Sequence, residues 1–424
     1  MFALIFPFLL ATVDLGEHFA KSEAWGESAV DFASAHRGDG FGFASQKRDI
    51  VSCLGRGKCA WHGLDVWEAR IYYGAEGATR VEMSLYNRGD DDGAEGLGAA
   101  RLGRLLDAIA AKAQDGGKIG PNPEKKKLRN GTFQYTKVWD KGECPVELAW
   151  GVSGAKVKDQ TADFVRVTLT PRSARRTKGV SKSVSGVAAR AKVKAHVRKN
   201  DAGDVWIDDV PMVDQGQKGY CAAATGERVL RYYGYNIDEH EVAQSAGTTA
   251  RGGTSVSEMV ETVRAMGSKC RLGFSSIVSI MGGDVGKDVE QYNKFARTER
   301  APELSLGEFM HGGVLHLGEL FAAMNPEVVK KMRTRDSRYK KFLSGVKTQV
   351  DQGIPVFWGV TLGMFPEPGL PQARGGHMRL IVGYNAKTHE VLYSDSWGVG
   401  HELKRMPEDW AFAITHDAFF LKPL

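Results

Sequence analysis

The order of apolar and polar positions divides the chain into two differently textured halves. In the first, Leu64–Tyr73 and Thr79–Tyr86 read as strands joined by a turn at Gly74–Gly77, with Val81, Met83 and Leu85 alternating with polar neighbours. Leu97–Lys112 places Leu102, Leu105, Leu106 and Ile109 on one helical face. Thr132–Trp139, Val146–Val152 and Phe164–Thr170 read as three more strands, and residues 21–44 as a loose, Gly-, Ala- and Ser-rich lead-in. The expectation is a small α+β domain over residues 21–170. In the second half, Val205–Val210 is strand-like and Cys221–Tyr233 and Asp238–Ser245 are helical. Ser255 with Glu258 forms a capping box for a helix reaching Met266. Residues 272–304 read mostly as loop with a short helix near Val289–Arg297. Helical patterns return at Leu317–Met324 and Arg338–Asp351. The strands Pro355–Leu362, Met378–Tyr384 and Glu390–Ser394 follow, the last two joined by a hairpin at Asn385–His389. Helices followed by antiparallel strands make this half α+β as well.

Between the halves, residues 171–200 hold ten Lys or Arg and no Asp or Glu. Such a stretch buries too little surface to fold alone and reads as a basic, flexible linker. It is also the one segment suited to contact with an anionic surface. The formal charge of +6 sits there: elsewhere 47 basic residues face 51 acidic ones. No nucleic-acid partner is expected from such a distribution. Met1–Val13 is almost wholly apolar and too short to span a bilayer, which takes about 20 residues. It resembles the hydrophobic part of a secretory signal, although no Lys or Arg precedes it and no Ala-x-Ala site follows. The expectation is a leader over residues 1–20, export to the periplasm or beyond, and no transmembrane span. In an exported chain, Cys53 has Cys59 or Cys144 as a disulfide partner. The five cysteines have no zinc-ligand spacing, and Asp90–Asp92 lacks the spaced oxygens of a calcium loop, so no metal or cofactor is expected.

One constellation carries chemistry. Cys221 stands where a glycine-punctuated loop enters a helix, and the unpaired N–H groups there favour thiolate over thiol. Ala222–Ala224 leave room around the sulfur. Gln215, six residues earlier, is spaced to aim an amide N–H at an oxyanion beside the Cys221 N–H, and Gln217 is a less well-spaced rival. Of eleven histidines, His377 stands out, following Gly375-Gly376 and opening an apolar strand. His311, His316, His389, His401 and His416 occupy looser settings. Asp395, in Asp-Ser-Trp-Gly, is suited to orient an imidazole, with Trp397 excluding water.

Gln-Gly-x-x-Gly-x-Cys, Gly-His before a strand ending Val-Gly-Tyr, and Asp-Ser-Trp-Gly together resemble the papain superfamily of cysteine peptidases. The Gln-to-Cys spacing, Tyr232-Tyr233-Gly234, Gln352-Gly-Ile-Pro-Val and the use of Asp resemble more closely the bacterial double-glycine leader peptidases. The likeness covers about residues 205–400. It implies a papain-like domain over 201–424, with Gln215 as oxyanion donor, Cys221 as nucleophile, His377 as base and Asp395 as orienting residue. The long Cys221–His377 interval implies insertions within 267–340, and Ala222 stands where papain has a bulky aromatic. A peptide or protein is the implied substrate. A transglutaminase-like acyl transferase would use the same residues, and a non-catalytic binding module would keep only the fold. Residues 21–170 resemble no family and suit either a pro-region or a binding domain.

Overall fold

The computed structural model describes residues 13–91, 96–113, 122–127, 132–140, 143–154, 159–177, 192–216, 220–235, 270–280, 285–372 and 374–424, with Val242, Gln244 and a few residues between 260 and 267. Gln217, Asp92, the apolar leader up to residue 12 and most of the two helices expected over 238–266 lie outside them. The chain forms two compact units, one of residues 1–182 with 243–253 and the other of 183–242 with 254–424.

The first unit is built on a ten-stranded sheet. Its strands are β1 (Val13–Asp14), β2 (Phe41–Phe43), β3 (Ile50–Trp61), β4 (Leu64–Gly74), β5 (Gly77–Asn87), β6 (Leu97–Gly98), β7 (Glu124–Lys127), β8 (Phe133–Trp139), β9 (Val146–Ser153) and β10 (Thr161–Leu169). The order is β1-β3-β4-β5-β10-β9-β8-β7, with β2 on β3 and β6 on β10. Among the described strands of this sheet, only β1 with β3 pairs in parallel. Its helices include α1 (Leu15–Phe19), α2 (Ala29–Ala35) and α3 (Ala99–Ala113). In α3, Leu102 and Ile109 are buried while Leu105 and Leu106 pack at the margin of the same core. The sequence pattern missed β3, which forms a ladder with β4 on either side of an irregularity between Leu54 and Cys59. Gly55 (φ +108°) and Gly57 (φ +74°) take left-handed conformations inside it, which breaks the alternation a regular strand would display. The lead-in over 21–44 is likewise more structured than expected, holding α2 and β2.

None of Cys53, Cys59, Cys144, Cys221 and Cys270 is joined in a disulfide. Thus neither disulfide considered for Cys53 is present, although the Cys53 and Cys59 thiols are hydrogen-bonded neighbours. At the ends of the expected linker, Arg172–Thr177 is a short helix, α4, and Val197–Lys199 is a strand. Residues 178–191 lie outside the described ones.

The second unit contains β11 (Val197–Lys199), β12 (Asp204–Ile207), α5 (Cys221–Tyr232), β13 (Leu272–Ser279), α6 (Val285–Glu299), the small hairpin β14 (Met310–His311) and β15 (Val314–Leu315), and α7 (Leu317–Ala323). Then come α8 (Pro326–Thr334), α9 (Ser337–Val350), β16 (Val356–Leu362), β17 (Gly375–Asn385), β18 (Glu390–Ser394), β19 (Lys404–Pro407), α10 (Glu408–Ala413) and β20 (Thr415–Pro423). The sheet order is β11-β12-β17-β16-β20-β13, with β18 on β17 and β19 on β18. Its pairings among β16, β17, β18 and β20 are antiparallel. Val356, Trp358, Val360, Ile381 and Phe420 meet Phe342, Val346 and Phe412 in one core. The stretch expected to be mostly loop instead contains β13 and the whole of α6. β13 is an edge strand whose register against β20 shifts between Ser276 and Val278, which blurs its period. No helix among the described residues is long and apolar enough to cross a membrane.

Candidate active site

Three elements of the second unit converge on one point. The first is the start of α5. Tyr220 precedes it with φ −99° and ψ 12° and makes no side-chain cap. The first-turn N–H groups are therefore left for other acceptors, and the Ala222 N–H stabilises negative charge on the Cys221 sulfur. Ala222, Ala223 and Ala224 are buried, so their small side chains let α5 press against β17. Thr225 Oγ1 donates to the Met378 carbonyl at 3.3 Å, fixing the helix beside the strand that carries His377. Cys221 itself is partly exposed.

The second element is the mouth of β17. His377 is buried, and its Nε2 lies 3.1 Å from Asp395 Oδ1. The third is the turn after β18. There Asp395 is fully buried, and its N–H donates to the His401 carbonyl at 2.9 Å. Trp397 lies flat on the His377 ring, with centroids 4.1 Å apart and planes 3° from parallel. That cover screens the His377–Asp395 bond from water, where a hydrogen bond between charged groups is strongest.

Electrostatics follow from this arrangement. Burial pushes the Cys221 thiol up, but the neighbouring His377, with the N–H groups of Met378 and Ala222, outweighs it and holds the thiol below its ordinary value. Burial likewise works against a charged imidazole, yet Asp395 and Cys221 together raise His377 above its usual range. Each partner thus favours the charged form of the other. The approach is not a strict hydrogen bond: His377 Nδ1 has no conventional partner. With Nε2 committed to Asp395, Nδ1 is the ring nitrogen left for the sulfur. Asp395 is held below the usual carboxylate range despite its burial, by His377 and by the nearby cations Arg379 and Lys404.

Gln215 is buried, and its backbone N–H donates to the Ser396 carbonyl at 2.9 Å, which docks its loop on the turn of Asp395. Thus Gln215, Cys221, His377 and Asp395 all lie in one region of one unit. The other histidines have different surroundings. His311 and His316 are exposed and share Glu319, and exposed His389 pairs with Glu408. His416 is half-buried against Thr361 Oγ1, and desolvation lowers its pKa to about 4, so it stays neutral. His401 frames the site through its carbonyl, which accepts from Asp395 N and from Ser394 Oγ.

Sequence reasoning missed Arg379. It is fully buried, two residues beyond His377, and its Nε donates to the same Asp395 Oδ1 at 2.7 Å. Its Nη2 pairs with Glu367 at 2.9 Å, and Tyr393 OH donates to Glu367 at 2.6 Å. Lys404 Nζ stands 4.0 Å from Asp395 Oδ2. The available signal was a lone arginine inside the apolar run Met378–Val382. No cluster of three or more His, Cys, Asp or Glu among the described residues is arranged to hold a metal.

Known proteins bear on this half of the chain. No curated protein matches it. Of solved structures, the peptidase domain of Streptococcus ComA, a bi-functional ABC transporter, is similar at 12% identity, covering 51% of this chain and all of that one, with a TM-score of 0.25. Xylellain, a cysteine protease from Xylella fastidiosa, is similar at 13% identity, covering 55% of this chain and 89% of that one, with a TM-score of 0.28. The Peptidase_C39 like family model matches residues 306–415, a span that includes His377 and Asp395 and lies beyond Gln215 and Cys221. Residues 306–415 are thus similar to the C39-like peptidases, over about a quarter of the chain.

Proposed function

We propose that the chain is a cysteine peptidase acting through Cys221, His377 and Asp395, with Gln215 as oxyanion donor. One observation carries this reading: the buried His377–Asp395 pair lies under Trp397, and His377 and the helix-terminal Cys221 shift each other toward the ion pair. In the proposed reaction the Cys221 thiolate attacks the peptide carbonyl and a C–S bond forms. The oxyanion is stabilised by the Cys221 N–H and the Gln215 amide. Imidazolium His377 gives its proton to the leaving amine as the C–N bond breaks, leaving a thioester. Neutral His377 then takes a proton from water, whose oxygen attacks the thioester. The C–S bond breaks, and thiolate and imidazolium are restored. Asp395 fixes the tautomer and stabilises the imidazolium throughout.

The test is hydrolysis of a peptide library by wild type, Cys221→Ser and Gln215→Ala, with and without iodoacetamide. Wild type should cleave, and iodoacetamide and Cys221→Ser should abolish cleavage. Gln215→Ala should lower kcat by about two to three orders of magnitude. Undiminished turnover in Cys221→Ser would remove the proposal. Product formed only when an amine acceptor is added would assign the same residues to acyl transfer.

A further inference from the structure

We propose that Arg228 is a positioning residue for this site, setting the relative placement of the Cys221 helix, the Gln215 loop and the Asp395 turn. The inference rests on the reading of Cys221 as nucleophile. Arg228 lies seven residues after Cys221 in α5, two turns on and on the same helix face. Its side chain is fully buried. A buried guanidinium is costly to hold unless its donors are occupied. Here Nε donates to the Pro211 carbonyl at 2.8 Å. Nη1 donates to the Asp395 carbonyl at 2.9 Å and to Ser396 Oγ at 3.4 Å, and Nη2 to Ser394 Oγ at 2.5 Å. Burial lowers its pKa to about 10, so it remains charged at neutral pH.

The choice of acceptors is informative. The hydrogen bonds run to carbonyls and hydroxyls, and those groups belong to the two segments that flank α5 at the site. Pro211 lies four residues before Gln215, whose own N–H binds Ser396. Ser394, Asp395 and Ser396 form the turn that presents the carboxylate to His377. Thr225, one turn along α5 from Cys221, reaches both Met378 O and Ser396 Oγ, at 3.3 and 3.4 Å. One guanidinium fork therefore joins nucleophile helix, oxyanion loop and orienting turn. Lysine, with a single nitrogen on a flexible stem, cannot reproduce the fork. Displacing reacting groups by about 1 Å is enough to cost roughly a hundredfold in rate.

The test compares wild type, Arg228→Lys and the double variant Ser394→Ala/Ser396→Ala. For each, the rate of Cys221 alkylation by iodoacetamide is measured against pH, with the thermal unfolding midpoint and with kcat and KM on a cleaved peptide. In Arg228→Lys the alkylation midpoint should move up toward an ordinary thiol, with kcat falling about a hundredfold and KM changing only a few-fold. The double variant keeps the arginine and removes two acceptors, and should shift the same way by less. A folded Arg228→Lys with the wild-type alkylation profile would overturn the proposal. If Arg228→Lys does not fold, an unchanged profile in the double variant overturns it. An ordinary thiol profile in wild type would instead count against the nucleophile reading itself.

Discussion

At the scale of single residues, the site is decided by competition between burial and partners. Burial disfavours charge on Cys221, His377 and Asp395 alike, yet all three are shifted toward their charged forms. Partner charges and N–H donors win because they lie close and sheltered from water. Arg379 extends this balance. Its Nε shares Asp395 Oδ1 with His377, while its far side faces Glu367. Removing it by Arg379→Met would leave two buried carboxylates short of a cation. Breaking a buried ion pair from one side costs about 3–5 kcal/mol, so denaturant unfolding should show a loss of that order. A loss near zero would mean that Glu367 and Asp395 are satisfied without Arg379.

At the scale of elements, the strands are held in place by specific polar ties as well as by the core. Asp204 of β12 accepts from Arg405 of β19 at 2.9 Å, and from Asn385 of β17 at 2.7 Å. Arg405, then Asn200 and Asn385, hold its pKa down at about 2 against an ordinary 3.8. A carboxylate whose folded pKa is depressed stabilises fully above the unfolded value, and that contribution fades as pH falls through the folded one. Between about pH 4 and 2 the wild-type thermal midpoint should therefore fall more steeply than that of Asp204→Asn. Parallel curves would show that the tie contributes nothing. The same scale shows what the sequence makes legible. Strands β4, β5, β8, β9, β10, β16, β17 and β18 lie close to where alternation or apolar runs put them, because each pairs over most of its length. β3 was hidden by its left-handed glycines, and β20, central between β16 and β13, went unread. In β20, the run Ala418–Leu421 is buried throughout and so shows no period. The candidates Cys221, His377 and Asp395 were legible because each stands at or near an element boundary, and Gln215 through its spacing before Cys221. Arg228 was not, since an arginine inside a helix looks the same in sequence whether it faces water or a buried carbonyl, and Arg379 left only the signal of a lone charge in an apolar run.

At the scale of the molecule, chain order and compact units do not coincide. Residues 243–253 follow α5 in sequence but group with the first unit. Within that unit Gln244 Nε2 donates to Asp163 Oδ2 at 2.9 Å, and its Oε1 accepts from Gln134 at 3.0 Å. Gly151 provides the space: a Cβ there would come within 2.5 Å of the Gln244 amide. Gln244→Ala should destabilise the full chain by about 1–3 kcal/mol, the usual cost of leaving buried polar partners unsatisfied. An unchanged unfolding curve would argue that the segment adds no stability. The central claim concerns charge on one sulfur, and alkylation reads it directly. The rate of iodoacetamide addition to Cys221 is followed against pH by mass of the modified peptide, in wild type and in His377→Ala. The wild-type midpoint should lie below the ordinary thiol value of about 8.5. In His377→Ala it should rise above that value, because burial then acts with its main counterweight removed. Identical midpoints in the two proteins would contradict the account.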